Sequence, residues 1–207
     1  MAVITLPDGL LIQRLTIGQR RFDLGMENPD TGDTSVRLLG PPRWTLAFTS
    51  DQQMEPLQAR TWESMLLRLR GRVNLLEAWD HGKRAPLGSM RGTMILSGAV
   101  AAGATTLTIS TNSAQAGKTL FAGDWLRIGS GLGTSQLVKA VVDTTADING
   151  SVVVQIEPPL RTAFSTSTPV AWDKPTTYFR MNQADNAWVY ERAVQGGFAF
   201  DGLEVWR

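Results

Sequence analysis

Apolar and polar side chains alternate along most of this 207-residue chain, which is the pattern of β-strands with one buried and one exposed face. The clearest case is Trp44, Leu46 and Phe48, which alternate with smaller or more polar residues. Similar short runs, bounded by glycine, asparagine, aspartate or proline, recur to the end of the chain, and residues 27–34 form a turn-rich cluster. The pattern predicts a mainly β protein whose strands are joined by turns.

A single stretch, residues 55–70, follows a helical period instead. Pro56 suits the first turn of a helix, and Gly71 suits its C-terminal end. The apolar residues of the stretch share one face, at spacings of three and four positions: Trp62, Met65, Leu66 and Leu69. The stretch predicts one α-helix that packs against a sheet.

Residues 89–173 contain the densest series of short strands. Asn149-Gly150 is typical of tight hairpin turns, so we expect the runs around Val138 and Val153 to pair. Five or so strands in this length predict a small β-barrel of the oligonucleotide/oligosaccharide-binding (OB-fold-like) type. An ordinary antiparallel sandwich is the alternative, because turn spacing does not separate the two.

Polar segments at residues 80–86 and 173–175 bound this barrel. The flanking sequence, 1–88 plus 174–207, is predicted to form one discontinuous β-sandwich domain that carries the helix. Its C-terminal part predicts three strands: 178–181, 188–194 and 198–206. The barrel, residues 89–173, is therefore predicted to be inserted into this domain, which requires its two ends to lie close together.

The composition excludes several classes of protein. With 43% hydrophobic and 19% charged residues, the chain has the composition of a globular protein. Its net charge of +1 provides no strong attraction to nucleic acid or to an anionic membrane. The absence of cysteine excludes disulfides and thiolate sites. No apolar run reaches the ~18 residues of a spanning helix, and the N-terminus lacks the features of a signal peptide, so we expect cytoplasmic synthesis and no membrane.

Candidate catalytic chemistry centres on His81, the single histidine, which follows Asp80. A catalytic triad is set by geometry and not by spacing, but no Gly-x-Ser-x-Gly motif accompanies this histidine, and we expect no enzyme. Asp143 and Asp147 are expected to shape turns and not to bind calcium. The glycine-rich residues 129–135 lack the lysine of a phosphate-binding loop. The sequence therefore predicts no catalytic residue, no metal and no cofactor, and a hydrolase centred on His81 remains an alternative to test.

Three motifs of the barrel indicate a family. They are Gly-Ala-Thr-Thr-Leu at 103–107, Ala-Gly-Asp-Trp at 122–125 and Val-x-Ile-x-Pro-Pro-Leu-Arg at 154–161. Their order and spacing resemble those of distal tail proteins of long-tailed bacteriophages, the siphoviruses of Gram-negative hosts. In those proteins a barrel of this kind is inserted into a β-sandwich domain. The resemblance covers residues 90–180, and only the layout is similar elsewhere.

The resemblance implies a structural virion protein of the tail tip, or baseplate, assembled in the cytoplasm of the host bacterium. It implies a hexameric ring that joins the tail tube protein to the tail hub protein, while DNA passes through the lumen only in transit. The N-terminal segment and two arginines of the helix are the candidate subunit contacts: Val3, Ile4, Leu6, Arg68 and Arg70.

A second interpretation is a carbohydrate- or single-strand-nucleic-acid-binding module that acts through the inserted barrel. This mode of binding needs aromatic side chains for stacking, together with a basic groove. Phe121 and Trp125, which flank a turn, are the candidate binding face, although both could equally fill the barrel. Ligand binding by residues 89–173 that is lost on Trp125→Ala would favour this interpretation.

Overall fold

The computed structural model describes residues 1–51, 53–185, 187, 189–191 and 194–206. It is mainly β, with one α-helix and a closed barrel, which confirms the predicted fold class. The helix α1 is Pro56–Leu69, and a short 3-10 helix is Ser113–Gln115. The strands are β1 Val3–Thr5, β2 Arg14–Glu27, β3 Thr34–Thr49, β4 Leu75–Ala78, β5 Met94–Leu96, β6 Thr106–Ser110, β7 Thr119–Leu120, β8 Trp125–Gly129, β9 Ser135–Ala140, β10 Thr144–Thr145, β11 Ser151–Glu157, β12 Pro169–Ala171, β13 Thr177–Met181, β14 Val189–Glu191, β15 Val194–Gly196 and β16 Ala199–Glu204.

The larger sheet has six strands in the order β1-β4-β13-β16-β3-β2. Only the pairing of β1 with β4 is parallel, and the other pairs are antiparallel. Strands β13 and β16 lie between β4 and β3, so the chain that follows the barrel completes a sheet begun before it. The sheet therefore unites the two ends of the sequence.

Helix α1 covers this sheet. It begins at the predicted proline, and it ends where Arg70 and Gly71 adopt left-handed backbone angles, with φ of 50° and 60°. The Trp62 ring lies 5.5 Å from the Phe48 ring and 5.9 Å from the Phe198 ring. The predicted apolar face of the helix is buried. Each Leu or Met that it buries contributes about 1.5–3 kcal/mol.

The barrel is closed by six strands in the order β11-β6-β5-β12-β8-β9, one more than the five of an oligonucleotide/oligosaccharide-binding fold. Apolar side chains such as Leu107, Ile128 and Val154 fill its interior and are at most 1% exposed. Trp125 and Leu137, which are also barrel residues, pack instead with the core of the larger sheet. The molecule therefore has two apolar cores that meet at one contact region.

The runs around Val138 and Val153 pair, as predicted, but not through a two-residue hairpin at Asn149-Gly150. Strands β9 and β11 pair only through the last two residues of each strand, and Val153 faces Thr108 of β6. The chain forms β10 between them, and β10 pairs with β7. Within the turn, Gly150 has a φ of 79°, while Asn149 is not left-handed, so the turn lacks the two positive φ angles of a direct hairpin.

The predicted single strand at residues 188–194 is also wrong. Its described part belongs to two short strands, β14 and β15, which pair with each other. Trp188 and residues 192–193 lie outside the described residues. Strand β15 contacts α1, so this hairpin adjoins the helix.

Candidate assembly surfaces

Strands β2 and β3 continue past the end of the larger sheet as a two-stranded ribbon. Every residue from 23 to 39 is exposed, although the strands stay paired as far as Glu27 and Thr34. We call residues 23–39 the arm. Its five paired positions extend it by roughly 17 Å, at about 3.3 Å per residue.

The arm carries apolar side chains on both of its faces. The pairing register places Val36 and Leu38 on one face and Leu24 and Met26 on the other. Their exposed fractions run from 47% for Leu24 to 71% for Leu38. A two-stranded ribbon alone is marginally stable in water, and clustered exposed apolar side chains mark interaction sites. The arm thus has the surface of a segment that is covered on both faces by another molecule.

The base of the arm is fixed to the rest of the chain. The guanidinium carbons of Arg20 and Arg43 each lie 5.5 Å from the centre of the Phe22 ring. Arg21 forms an ion pair with Glu157 of β11 at 3.0 Å. The pairing register shifts on either side of Phe22, and such a bulge bends a ribbon and increases its twist. The arm therefore leaves the sheet beside the barrel in a defined direction.

The side of α1 that faces away from the sheet is a second exposed surface. Leu57 and Leu67 are 75% and 55% exposed there. Two shallow depressions lie on either side of the row formed by Arg60, Ser64 and Arg68, which line both of them. We call this surface the α1 outer face, and its residues are Leu57, Arg60, Ser64, Leu67, Arg68 and Arg70.

The barrel contacts the larger sheet at the end where β4 stops and β13 begins, and we call this contact the joint. The Trp125 ring meets the Trp44 ring edge to face, with ring centres 4.6 Å apart. The indole nitrogen of Trp125 donates to Asp80 Oδ2 at 2.9 Å. The indole nitrogen of Trp44 donates to the Leu137 carbonyl at 2.9 Å. Aromatic packing and two hydrogen bonds therefore hold the barrel at this point.

Two cationic side chains of the barrel also lie at the joint. Arg127 donates to Glu77 Oε1 and to the Tyr178 hydroxyl, at 3.0 Å each. The ammonium of Lys139 lies 4.3 Å from the centre of the Trp125 ring, and burial lowers the pKa of this lysine. The joint is therefore positively charged on its barrel side and acidic on its sheet side.

The most deeply buried ion pair of the joint is Arg161 with Glu204. Their side chains are 6% and 1% exposed. Glu204 also accepts hydrogen bonds from the Trp44 backbone N–H and the Thr177 hydroxyl, at 3.0 Å each. Arg161 also donates to the Pro42 carbonyl at 2.9 Å. Because both charges are buried and bonded, this pair fixes the orientation of the barrel relative to the sheet.

The structure separates the two candidate residues of a barrel binding face. Phe121 is 39% exposed, whereas Trp125 is 3% exposed and is covered by Trp44 and Asp80. The assignment of Trp125 to a ligand-binding face is therefore wrong. The physical reason is that β8 directs this side chain out of the barrel at the place where the larger sheet covers the barrel wall.

The candidate subunit contacts lie in two environments. Ile4 and Leu6 are in the core of their own chain, 5% and 7% exposed, because β1 pairs with β4. Val3 is 39% exposed, and Arg68 and Arg70 lie on the α1 outer face. That these three residues contact another subunit stays a prediction.

His81 follows Asp80, which belongs to the joint. Its ring stacks on Trp79, with ring centres 4.2 Å apart. The carboxylate of Asp80 accepts from the Trp125 indole at 2.9 Å and the Gly82 N–H at 3.0 Å, so it serves the joint instead of orienting the imidazole. Burial lowers the pKa of His81, and the charge of Asp80 offsets part of this effect. The hydrolase interpretation gains no support from this geometry.

The loops considered for phosphate and calcium are held by their own hydrogen bonds. Within residues 129–135, Ser135 Oγ donates to a carbonyl of the same loop at 2.7 Å, and a strand follows. Asp147 accepts from the backbone N–H groups of Asn149 and Ser151, at 2.8 Å each, which is turn chemistry. In the described part of the chain, no three or more His, Cys, Asp or Glu residues are grouped so as to hold a metal ion.

Sequence reasoning missed the arm and the joint. For the arm a signal was present: Leu24 and Met26 continue the strand alternation up to the turn at 27–34, and Val36 and Leu38 resume it after the turn. This alternation indicates how long the ribbon is, but it does not indicate that the side chains of the ribbon are exposed to solvent. For the joint there was no local signal, because its partners lie far apart in the sequence.

None of the helices in the described ranges is long and apolar enough to cross a membrane. A comparison of the sequence with protein-family models found no match, and a comparison with curated proteins found no significant match. The function is therefore inferred from the surfaces described above.

Proposed function

We propose that this protein is a structural, non-enzymatic component of a bacteriophage tail tip, where its copies form a ring between the tail tube and the tail hub. The observation that carries the proposal is the arm, which is exposed along residues 23–39 and apolar on both faces. The resemblance to distal tail proteins supports a ring of six copies. It also supports assembly in the cytoplasm of the host bacterium.

A ring supplies a neighbouring surface that can bury the exposed apolar side chains of the arm. Each copy in a cyclic assembly presents one surface to the preceding copy and a different surface to the following one. An arm that reaches a neighbour buries apolar area that is exposed in the single chain, at about 25 cal/mol per Å². Strand β2, an edge strand of the larger sheet, is also shielded from uncontrolled pairing when a neighbour covers it.

The charge of the chain suits passage of DNA through the ring. Cationic proteins bind the phosphate backbone through release of counterions, and a strongly basic lumen would hold the genome back. The net charge of this chain is +1. DNA is therefore a molecule in transit in this proposal and not a bound ligand.

The barrel is a rigid projecting module in this proposal, because the buried contacts of the joint fix its orientation. The glycan- or single-strand-binding alternative depends mainly on Trp125, and this side chain is buried in the joint. Phe121, at 39%, is the most exposed aromatic side chain of the barrel, and one such residue provides little of the stacking surface that this mode of binding uses.

The proposal is tested by native mass spectrometry and negative-stain microscopy of the purified protein over a range of concentrations. We expect a closed species with six times the protomer mass of 22.6 kDa and a central opening. A protein that stays monomeric at every concentration, and also in the presence of isolated tail tubes and hubs, contradicts the proposal.

A further inference from the structure

The charges of the arm are predominantly acidic. Residues 23–39 contain four acidic residues and one arginine, a net charge of −3. Asp23 and Glu27 lie on the same face as Val36 and Leu38, while Arg37 lies on the other face with Leu24 and Met26. One face of the arm is therefore both apolar and acidic: Asp23, Glu27, Val36 and Leu38.

The α1 outer face has the opposite charge. Residues 56–72 contain four arginines and one glutamate, a net charge of +3. Its exposed Leu57 and Leu67 lie beside depressions bordered by Arg60 and Arg68. This surface is both apolar and basic.

We infer that, in the ring proposed above, the acidic face of the arm of one copy lies along the α1 outer face of the next copy. The inference rests on the proposed ring and deepens it by naming the two surfaces that meet. The net charges of the two segments are equal and opposite. Such a contact is heterologous, and when the rotation between copies closes, it forms a ring in which every arm contacts the helix of the next copy.

The apolar side chains of the two surfaces can meet. Leu67 lines one depression and Leu57 lines the other. Val36 and Leu38 are two positions apart on a strand and hence about 6.6 Å apart along it. In the inferred contact they pack against these depressions, with Asp23 and Glu27 beside the bordering arginines.

Disulfide trapping tests this contact, because the chain has no cysteine of its own. Leu38→Cys and Leu67→Cys alter exposed positions and are prepared as separate variants. When the two are mixed and oxidised, we expect a covalent dimer that joins one copy of each. A mixture of Met26→Cys with Leu67→Cys is the matched control. Because Met26 lies on the opposite face of the arm, this mixture should yield at least tenfold less dimer.

The outcomes separate the inference from the proposed function. If no ring forms at any concentration, nor in the presence of isolated tail tubes and hubs, the proposed function fails, and this contact fails with it. If rings do form, three results would overturn this contact while leaving the ring itself in place. They are a disulfide between two copies of the Leu38→Cys variant, an equal yield of dimer from the Met26→Cys mixture, and no disulfide at all.

A charge exchange gives independent evidence. Glu27→Lys and Arg68→Glu should each weaken assembly at least tenfold, and the double variant should recover most of the loss because the pair is restored with reversed signs. Asp173→Lys, which makes the same charge change at an exposed site outside the arm, should leave assembly within twofold of wild type. A double variant that is weaker than either single variant overturns the inference.

Discussion

The joint and the arm depart in opposite ways from the usual partition of polar and apolar residues. The joint buries charged side chains, and the pair of Arg161 with Glu204 is nearly inaccessible to water. The arm exposes apolar side chains, and Leu38 is 71% exposed. The ion pairs of the joint, Arg127 with Glu77 and Arg161 with Glu204, are made within one chain, whereas the apolar faces of the arm are exposed in that chain. The contacts of the joint therefore form when one chain folds, whereas those of the arm are expected to form when copies associate.

The largest effect is expected from breaking the buried pair of the joint. Glu204→Ala leaves the Arg161 charge buried and unpaired, and it removes the acceptor for the Trp44 N–H. We expect a loss of about 3–5 kcal/mol in the free energy of unfolding, measured by guanidinium denaturation. Arg84→Ala, which removes an exposed ion pair with Asp173, is the control and should cost less than about 1 kcal/mol. Equal costs for the two variants would contradict the account of the joint.

The next effect concerns the arm and should appear in assembly alone. Leu24→Ser combined with Leu38→Ser removes one apolar side chain from each face. Because each burial contributes about 1.5–3 kcal/mol, the loss should weaken assembly at least hundredfold by sedimentation. The free energy of unfolding of the monomer should change by no more than about 0.5 kcal/mol. Ile148→Ser, at an 85% exposed position of the barrel, should change neither quantity.

A smaller effect is expected at the aromatic contact of the joint. Trp125→Phe keeps a ring next to Trp44 but removes the indole N–H that donates a hydrogen bond to Asp80. A buried acceptor that loses its donor costs about 1–3 kcal/mol, measurable as a lower midpoint of denaturation. Phe121→Leu, on the exposed side of the same turn, should shift the midpoint far less. A stable Trp125→Phe variant would mean that the indole contributes only packing.

The smallest effect is a pH dependence of stability that arises from His81, next to the joint. Burial lowers the pKa of His81 below its unfolded value of 6.5. Below pH 6.5 the unfolded chain therefore binds a proton that the folded chain does not, and stability falls as the pH decreases toward the folded pKa. Between pH 7.5 and 5.5, wild type should lose more stability than His81→Gln. Parallel stability curves for the two proteins would contradict this assignment.

The parts of the fold that follow local periodicity were predictable from the sequence. The helix was recognisable because Pro56 and Gly71 mark its two ends and one apolar face runs between them. The barrel strands were recognisable because apolar and polar residues alternate between turn residues. The joint was not predictable. Arg127 and Glu77 are 50 positions apart, and Arg161 and Glu204 are 43 apart. Local patterns do not specify which distant side chains meet.

The arm illustrates the same limit from the other direction. Alternation along a strand predicts that one face of the strand is buried, but it does not indicate whether that face is buried by the same chain or by another molecule. Trp125 was misassigned for a related reason, since an aromatic residue in a barrel strand has the same local pattern whether it faces solvent or a second sheet. In both cases the missing information is the tertiary environment.

Hydrogen–deuterium exchange tests the division between joint and arm most directly, when dilute monomer and assembled protein are compared. We predict that assembly slows exchange in residues 23–39 and in the exposed part of α1. Amides of the joint, such as that of Trp44, should exchange slowly in both states. An arm that exchanges as fast in the assembled protein as in the monomer would contradict the account.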